Sequence, residues 1–586
     1  MKNYKNIITV LLIILFSVKL LAEGDQKNKT NKLNKTNGEP EYARFNINKI
    51  STWIKNDGES DNNRNGNSGF VYPKGSNKAC FFQSGLVWGG KVNGQIRVGG
   101  STYNSGLKPG KILANGEAEN SELPHVRIYR VRRDYKSADL SMEAEDEGKS
   151  INDIFKQYEK DWNEWRAEDG APFEDINNDG IYNPKIDIPG VIGADQTIWF
   201  VANDLDEEQV KSLYGSLPIG IELQATFWGY KIEGTPLNNI MFRKYVVINK
   251  SRNNIKDMYF SMWSDPDLGD ATDDLVGCDT LKNMSFCYNG NSVDATYHSY
   301  IPACGFVLLQ GPVVPGNPDD VAEQFGNKIN GKKNLGMTSF HGMMKSAGFN
   351  NKIYGDPNLG DYNKGTLAWY NFFQGNWNDG TPFPIPDVLG GGSTKFPFSG
   401  DPLTGEGYVD GILFLPADRR MGLGTGPFTF AEGDSQEVIF AQIAAGGVPQ
   451  IERLESIKIL KQYADFAIEF YKRDYFNFDK SSPSVNGIGF ENSILLKWDV
   501  DKSYSSSNKF PVQGYNVYQL PELNSKINEY KRIKTFDIVD GIKNIIGFSK
   551  PFDGYSTEVK QFGTDNGIEK FIKIDKDYFD NSRLLS

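Results

Sequence analysis

The chain has 586 residues, and acidic residues outnumber basic ones to give a formal net charge of −11. This balance argues against nucleic acid as a partner, because an acidic protein repels the phosphate backbone. Hydrophobic residues make up 39% of the chain, enough for packed cores, and the length predicts two to four domains.

Residues 1–22 have the pattern of a secretory signal peptide. Lys2 and Lys5 precede an apolar run from Ile7 to Val18, and Ala22 offers a small residue for cleavage. The run is shorter than the ~20 residues of a membrane-spanning helix. We therefore expect a secreted or cell-surface protein whose mature chain has no transmembrane segment.

Residues 23–44 are polar and low in complexity, which predicts a disordered leader. Residues 45–480 follow as a β-rich body, with strand candidates FRKYVVIN, MYFSMW, GFVLLQG, GILFL and EVIFAQIAA. The segment GIELQATFWG alternates between apolar and polar residues, which predicts a half-buried antiparallel strand. Its predicted inward residues are Ile221, Leu223, Ala225 and Phe227, and its outward residues are Glu222, Gln224 and Thr226.

Two helices are predicted within the body. One covers about 150–166 with Ser150 as its N-cap, and the other covers about 449–473 with apolar residues at helical spacing. Many strands with few helices favour a mainly β, multi-domain fold of antiparallel β-sandwiches. Because one core rarely grows past ~300 residues, we expect two sandwich-like units in the body.

Residues 483–586 contain ILLKWD and GYNVYQL, which resemble the first strands of a fibronectin type III module. The resemblance implies that Trp498 packs in the module core. It also implies that Tyr515, Val517 and Tyr518 lie on the opposite sheet. No closing strands are recognised after Tyr518, which favours an irregular or truncated module.

The whole chain also resembles large secreted bacterial proteins that combine an aromatic- and Asp-rich β body with a fibronectin type III module. The resembling stretches are GAPFEDINNDGIYNPKIDIPG, SDPDLGDATDDLVGCD, FPFSGDPLTGEG, DRRMGLGTGPFTFAEGD and VQGYNVYQL. Many such proteins end in a sorting tail for type IX secretion, and no such tail is recognised here. The resemblance implies location and architecture, and it implies no chemistry.

The loop EDINNDGIYNPKID has the spacing of a calcium loop, although no EF-hand helix follows it. Asp187 comes one residue after the usual closing carboxylate, so the geometry would be altered. The alternative is an ordinary surface turn whose Asp and Asn side chains bond their own backbone. The predicted Ca²⁺ ligands are Asp175, Asn177, Asp179, the Ile181 carbonyl, Asn183 and Asp187.

A second acidic stretch, SDPDLGDATDDLVGCD, directly follows the apolar segment MYFSMW. Crowded carboxylates repel one another, and hard oxygen ligands favour Ca²⁺ over softer metals. The alternative is a solvated acidic loop. The candidate ligands are Asp265, Asp267 and Asp270, with Asp273 or Asp274 adding another.

The four cysteines allow three pairings, of which a Cys278–Cys287 bridge is favoured here; the alternative is four buried thiols. The three histidines lie far apart along the chain, which gives no support for a zinc enzyme. Asp418, Arg419 and Arg420 follow a predicted strand, and buried pairing is favoured over ligand recognition for the arginines.

These patterns favour a non-enzymatic secreted or cell-surface protein with calcium-stabilised loops, used in adhesion, envelope architecture or binding of an extracellular glycan or protein. The alternative is an extracellular carbohydrate-active enzyme or glycan-binding protein. That alternative relies on LAWYNFFQGNW, whose rings can stack on sugars or instead fill a core.

Overall fold

The computed structural model describes residues 41–232, 235–344, 348–349, 352–353, 355–448 and 451–472, and in the tail 485–498, 514–521, 531–537, 539, 544–548, 557–562 and 564–579. The predicted signal peptide and residues 23–40 of the predicted leader lie outside the described residues. The leader prediction extends too far, because the first strand already begins at Tyr42.

Strands dominate the described residues and are numbered in chain order. They are β1 (Tyr42–Phe45), β2 (Thr52–Lys55), β3 (Phe70–Val71), β4 (Ala79–Phe81), β5 (Gln83–Val92), β6 (Gln95–Gly100), β7 (Lys108–Pro109), β8 (Tyr129–Arg132), β9 (Phe173–Glu174), β10 (Ile188–Pro189), β11 (Gln196–Asn203), β12 (Ile221–Gly229), β13 (Ile240–Asn249), β14 (Ile255–Asp265), β15 (Asp274–Asp279), β16 (Met284–Asn289), β17 (Pro302–Gln310), β18 (Val313–Pro315), β19 (Val321–Gln324), β20 (Asn327–Asn330), β21 (Lys332–Asn334), β22 (Ser339–Met344), β23 (Gly348–Phe349), β24 (Lys352–Ile353), β25 (Phe383–Pro384), β26 (Ser393–Thr394), β27 (Arg419–Phe430), β28 (Ser435–Gly446), β29 (Val485–Phe490), β30 (Ser493–Trp498), β31 (Gly514–Gln519), β32 (Lys531–Asp537), β33 (Asn544–Phe548), β34 (Thr557–Phe562) and β35 (Phe571–Ile574).

The α-helices of the described residues are few and lie at the periphery. They are α1 (Ser141–Glu147), α2 (Ile151–Asn163), α3 (Glu207–Tyr214), α4 (Leu367–Phe373) and α5 (Arg453–Lys472). Both predicted helices are confirmed as α2 and α5, and the Ser150 side chain caps α2 by accepting a hydrogen bond from the Asp153 N–H. None of these helices combines the length and the apolar character needed to cross a membrane.

Two antiparallel sheets build the body. The larger has nine strands in the order β15–β16–β17–β28–β13–β12–β11–β7, with β8 also paired to β11; the smaller has the order β22–β27–β14–β5–β6. The predicted mainly β, antiparallel sandwich class is confirmed. One apolar cluster draws on both sheets. A second cluster lies between the nine-stranded sheet and α5, and two smaller clusters lie elsewhere in the body. The division of the body into two sandwich-like units stays a prediction.

Helix α5 covers the outer face of the nine-stranded sheet. Successive residues of β28 point alternately to the two faces of the sheet, and both faces are buried. This explains why EVIFAQIAA is almost continuously apolar. The inner residues include Val438, Phe440 and Ala444, and the residues on the α5 side include Ile439, Ala441 and Ile443.

Helix α4 covers the outer face of the five-stranded sheet, and it comes from the aromatic segment LAWYNFFQGNW. The Phe372 ring stacks on His341 with 5.4 Å between the ring centres, and Trp369 contacts Trp263 of β14. Trp377 is also almost fully buried. These rings fill a core, so the sugar-stacking interpretation of this segment is wrong.

Strand β12 has the predicted inward face, but its other face is not open to water. Glu222 is only 3% exposed and accepts a hydrogen bond from the Ile112 N–H at 2.8 Å. The half-buried prediction therefore fails on the polar face, since a neighbouring segment covers it. The predicted strand GILFL, residues 411–415, forms turns and bends instead.

The described part of the tail contains the sheet β29–β30–β35 and the hairpins β31–β32 and β33–β34. Trp498 is buried, and its ring centre lies 5.4 Å from that of Phe536 and 6.4 Å from that of Tyr515, both in β31–β32. The packing of Trp498 agrees with what the resemblance implies. Strands β32 to β35 follow Tyr518, where the sequence pattern had revealed none. The relation to fibronectin type III modules stays a prediction.

Asp204 lies just after β11 and is fully buried. Its carboxylate accepts hydrogen bonds from the backbone N–H groups of Ile219, Gly220 and Ile221 at 3.0, 2.9 and 2.7 Å. Burial disfavours the charged form and raises the Asp204 pKa to about 6, although the N–H donors oppose this.

A raised carboxyl pKa makes the folded state bind the proton more tightly than the unfolded state does. The Asp204 contribution to stability is therefore full below about pH 4 and is lost as the pH rises to about 6. Between pH 4 and 7 we expect the wild type to lose about 3 kcal/mol relative to Asp204→Asn, measured by urea unfolding. If the difference in unfolding free energy between the wild type and Asp204→Asn does not change between pH 4 and 7, the raised Asp204 pKa is contradicted.

Gly422 of β27 gives a second test, because a Cβ there would lie 1.9 Å from the His341 ring. Phe372 and the sheet confine that ring, so we expect Gly422→Ala to lower the free energy of unfolding by about 2 kcal/mol. Gly489→Ala is the control, since nothing lies within 4 Å of its Cβ position. Equal effects of the two substitutions would refute the packing argument.

Candidate metal centre

Three aspartates meet where β14 ends and β27 begins. Asp265 is the last residue of β14, Asp267 follows it, and Asp418 immediately precedes β27. Antiparallel pairing of β14 with β27 brings these positions together, with Ser264 opposite Met421. One carboxylate oxygen from each aspartate lies within 4.8 Å of the others. We call this group the aspartate centre; in the described ranges no other set of acidic, histidine or cysteine side chains meets that spacing.

The Arg420 guanidinium faces this negative charge. Arg420 lies 3.4 Å from Asp265 Oδ2 and 3.4 Å from Asp356 Oδ2, and it also pairs with Asp418. Its Nε donates a hydrogen bond to the Tyr103 hydroxyl. Three carboxylates therefore share this arginine, and Asp267 lies beside two of them in the centre.

Asp265 is the most constrained member of the centre. It is 3% exposed, and its Oδ1 makes no hydrogen bond to any described residue. Burial raises its pKa well above the usual range; the neighbouring carboxylates raise it further, and Arg420 opposes them. A buried carboxylate oxygen without a partner is costly, and a proton or a bound cation there would offset that cost.

The ligands suit a hard divalent cation. Carboxylate oxygens are preferred by Ca²⁺ and Mg²⁺, and Ca²⁺ takes six to eight of them in flexible geometry. Asp267 is held in place from outside the centre, because the Ser68 hydroxyl donates to its Oδ2 at 3.2 Å. The three aspartates would supply the charged ligands of such an ion.

The structure brings together only part of the second predicted cluster. Asp265 and Asp267 belong to the centre, whereas Asp270 caps a short 3-10 turn. Asp273 accepts hydrogen bonds from two asparagine side chains, and Asp274 accepts one from a backbone N–H. Fully buried within the body, Asp274 also shows that this stretch is not the solvated loop of the alternative interpretation.

The loop 175–187 has the geometry of an ordinary surface turn, which is the alternative to a calcium loop. Asp175 accepts hydrogen bonds from the N–H groups of residues 179 and 180, and the Asp179 carboxylate accepts one from the Ile181 N–H and one from the Asn177 side chain. Asp187 accepts from the N–H groups of Asn183 and residue 176. These carboxylates are turned onto the loop itself. Calcium at this loop stays a prediction.

A cavity of about 540 Å³ lies beside that loop. Its walls include Trp165, Tyr182, Arg166 and Glu168. Trp165 is 3% exposed and so offers little ring surface to a ligand. Tyr182 is only half-buried.

Two residues of the site could not be identified from the local sequence. The sequence pattern around Asp418 indicates only ion pairing with its neighbouring arginines, and no motif marks Asp356. The pairing of β14 with β27 places Asp418 beside Asp265, and that pairing is a long-range property of the fold. The order of the apolar strands along the sequence does not predict that β14 pairs with β27.

No protein-family model matches the chain, and no significant match to a curated protein was found.

Arg420→Gln tests the electrostatics of the site. Removing one partner from a buried group of charges leaves the carboxylates uncompensated, so we expect a loss of about 3–5 kcal/mol in unfolding free energy. Arg64→Gln is the control, because its side chain is exposed and bonds only a backbone carbonyl. A loss below about 1 kcal/mol for Arg420→Gln would show that solvent already screens these charges.

Proposed function

We propose that the chain is an exported, non-enzymatic scaffold or binding protein whose folded form is stabilised by Ca²⁺ at the aspartate centre. The observation that carries the proposal is the Asp265 carboxylate, which is buried beside two other aspartates and has one oxygen without a hydrogen bond. A divalent cation there would add positive charge to that of Arg420, which three carboxylates share.

The role of the ion follows from its position. The three aspartates come from the end of β14 and the start of β27, so an ion there would join two neighbouring strands of the five-stranded sheet. Asp265 is almost completely shielded from solvent, which suits a structural ion better than one that meets a substrate. Because the ion binds the folded state, it stabilises that state by mass action.

Export is supported by the signal-peptide pattern of residues 1–22 and by the resemblance to secreted bacterial proteins. A glycan or protein outside the cell remains the proposed class of partner. The carbohydrate-active alternative has lost its main support, because the rings of the segment around Trp369 and Trp377 are buried.

The proposal predicts that Ca²⁺ raises the melting temperature of the purified mature chain by several degrees and that a chelator reverses the rise. Asp267→Asn should abolish the shift, because it removes one charged ligand. Asp270→Asn is the matched control and should keep the shift, since Asp270 lies outside the aspartate centre. Scanning calorimetry with Ca²⁺, Mg²⁺ or chelator measures each case.

Asp179→Asn distinguishes the two acidic regions. If Asp179→Asn loses the Ca²⁺-induced rise in melting temperature and Asp267→Asn keeps it, the ion is assigned to the loop 175–187. An identical melting curve with Ca²⁺ and with chelator would refute the proposed ion. Release of reducing ends from a polysaccharide panel by the wild type would refute the non-enzymatic part.

A further inference from the structure

Two cysteines lie directly opposite each other inside the sandwich. Cys287 of β16 is the register partner of Cys304 of β17, and both are 0% exposed. Directly opposed residues of antiparallel strands have Cα atoms about 4.5–5.5 Å apart. Disulfides span Cα separations of about 4.4–6.8 Å, so this pair meets the geometric requirement without movement of the strands.

A third cysteine contacts the same pair. The Cys304 thiol contacts the thiols of both Cys287 and Cys80, and it lies 3.6 Å from the Cys80 carbonyl oxygen. The Cys80 Sγ is in turn 3.3 Å from the Tyr297 hydroxyl. Cys304 is therefore the central thiol of a buried group of three, which we call the thiol cluster.

Cys278 stands apart from the thiol cluster. Its Sγ faces the Pro397 carbonyl at 3.5 Å, and the register places it opposite Ser285. It is a diagonal neighbour of Cys287, and diagonal pairs are about 7–8 Å apart. That separation exceeds the usual range of a disulfide, so the Cys278–Cys287 bridge favoured by the sequence is disfavoured by the fold. All four cysteines are present here as buried thiols.

We propose that Cys287 and Cys304 form a disulfide when the chain folds in an oxidising medium, while Cys80 and Cys278 remain thiols. The oxidant is a small disulfide such as oxidised glutathione. One cysteine thiolate attacks it and releases one thiol; the second cysteine thiolate then attacks the mixed disulfide and releases another. Two protons leave the cysteines and two thiols form, so the exchange balances.

The bond forms before the sandwich closes. In the folded chain the thiol cluster is inaccessible, and burial together with the neighbouring thiols raises the pKa of Cys304 well above its ordinary value. The thiolate is the reactive form, so the buried cluster exchanges slowly once folded. The bridge would join β16 to β17 and enclose the segment between them. This segment contains Tyr297, whose hydroxyl donates a hydrogen bond to the Tyr72 carbonyl at 2.7 Å.

The test refolds the full mature chain from the reduced, denatured state in a glutathione redox buffer. Thiol counting in denaturant should find two thiols, and mapping of non-reduced peptides should find Cys287 joined to Cys304. Cys304→Ser and Cys287→Ser should lose the bridge. Cys278→Ser and Cys80→Ser are the matched controls and should keep it, with one free thiol each. The oxidised wild type should melt a few degrees above its reduced form.

Wild-type peptide mapping decides the result even if a variant fails to fold. Four thiols after refolding, or a bridge that joins Cys304 to Cys80, would overturn the proposal. The outcome is independent of the proposed metal, because the refolding can be run in chelator and in Ca²⁺ with the same readout.

Discussion

Coverage on both faces is the constraint that shapes this protein. The nine-stranded sheet lies between the sandwich core and α5, and the five-stranded sheet lies between that core and α4. A polar side chain on these strands must therefore find its partner inside the protein. Arg243 meets most of this demand, although its buried Nε has no hydrogen-bond partner among the described residues. It is enclosed by the rings of Phe227 and Phe306, each about 5.3 Å away, and pairs with Asp61 at 2.8 Å.

The aspartate centre is one of the places in the described residues where the same demand is incompletely met. Arg419 pairs with the single carboxylate of Asp410 at 2.9 Å. The next residue, Arg420, instead faces several carboxylates at once, and Asp265 retains an oxygen without a donor. Two adjacent arginines on one strand thus have different roles. The first pairs with one carboxylate, and the second is shared among three.

Local patterns in the sequence predict what depends on neighbouring residues. The Ser150 cap and the helical spacing of α5 are local, and so is the inward face of β12 that contains Leu223 and Phe227. The second covered face of a strand is not local. Glu222 has the pattern of a solvent-facing residue, and only the segment folded over β12 makes it buried.

The aspartate centre shows the same division between local patterns and long-range pairing. The crowding of aspartates after β14 is visible in the sequence, and Asp265 and Asp267 from that stretch lie together in the aspartate centre. Their third companion, Asp418, and the opposing charge of Arg420 come from a strand far along the chain. Likewise, sequence proximity favoured Cys278 as the partner of Cys287, whereas the register places Cys304 opposite it. The pairing of β14 with β27 decides the first site, and the register of the consecutive strands β16 and β17 decides the second.

The order of the five-stranded sheet has a consequence for proteolysis. Its neighbours β22, β27, β14 and β5 come from widely separated parts of the chain, and β22 and β27 are joined by a long connection that contains α4. A protease that cuts this connection would leave both new ends hydrogen-bonded within the same sheet. The cleaved molecule would keep its fold and separate into two fragments only after denaturation. A single cut in this connection would therefore not unfold the protein.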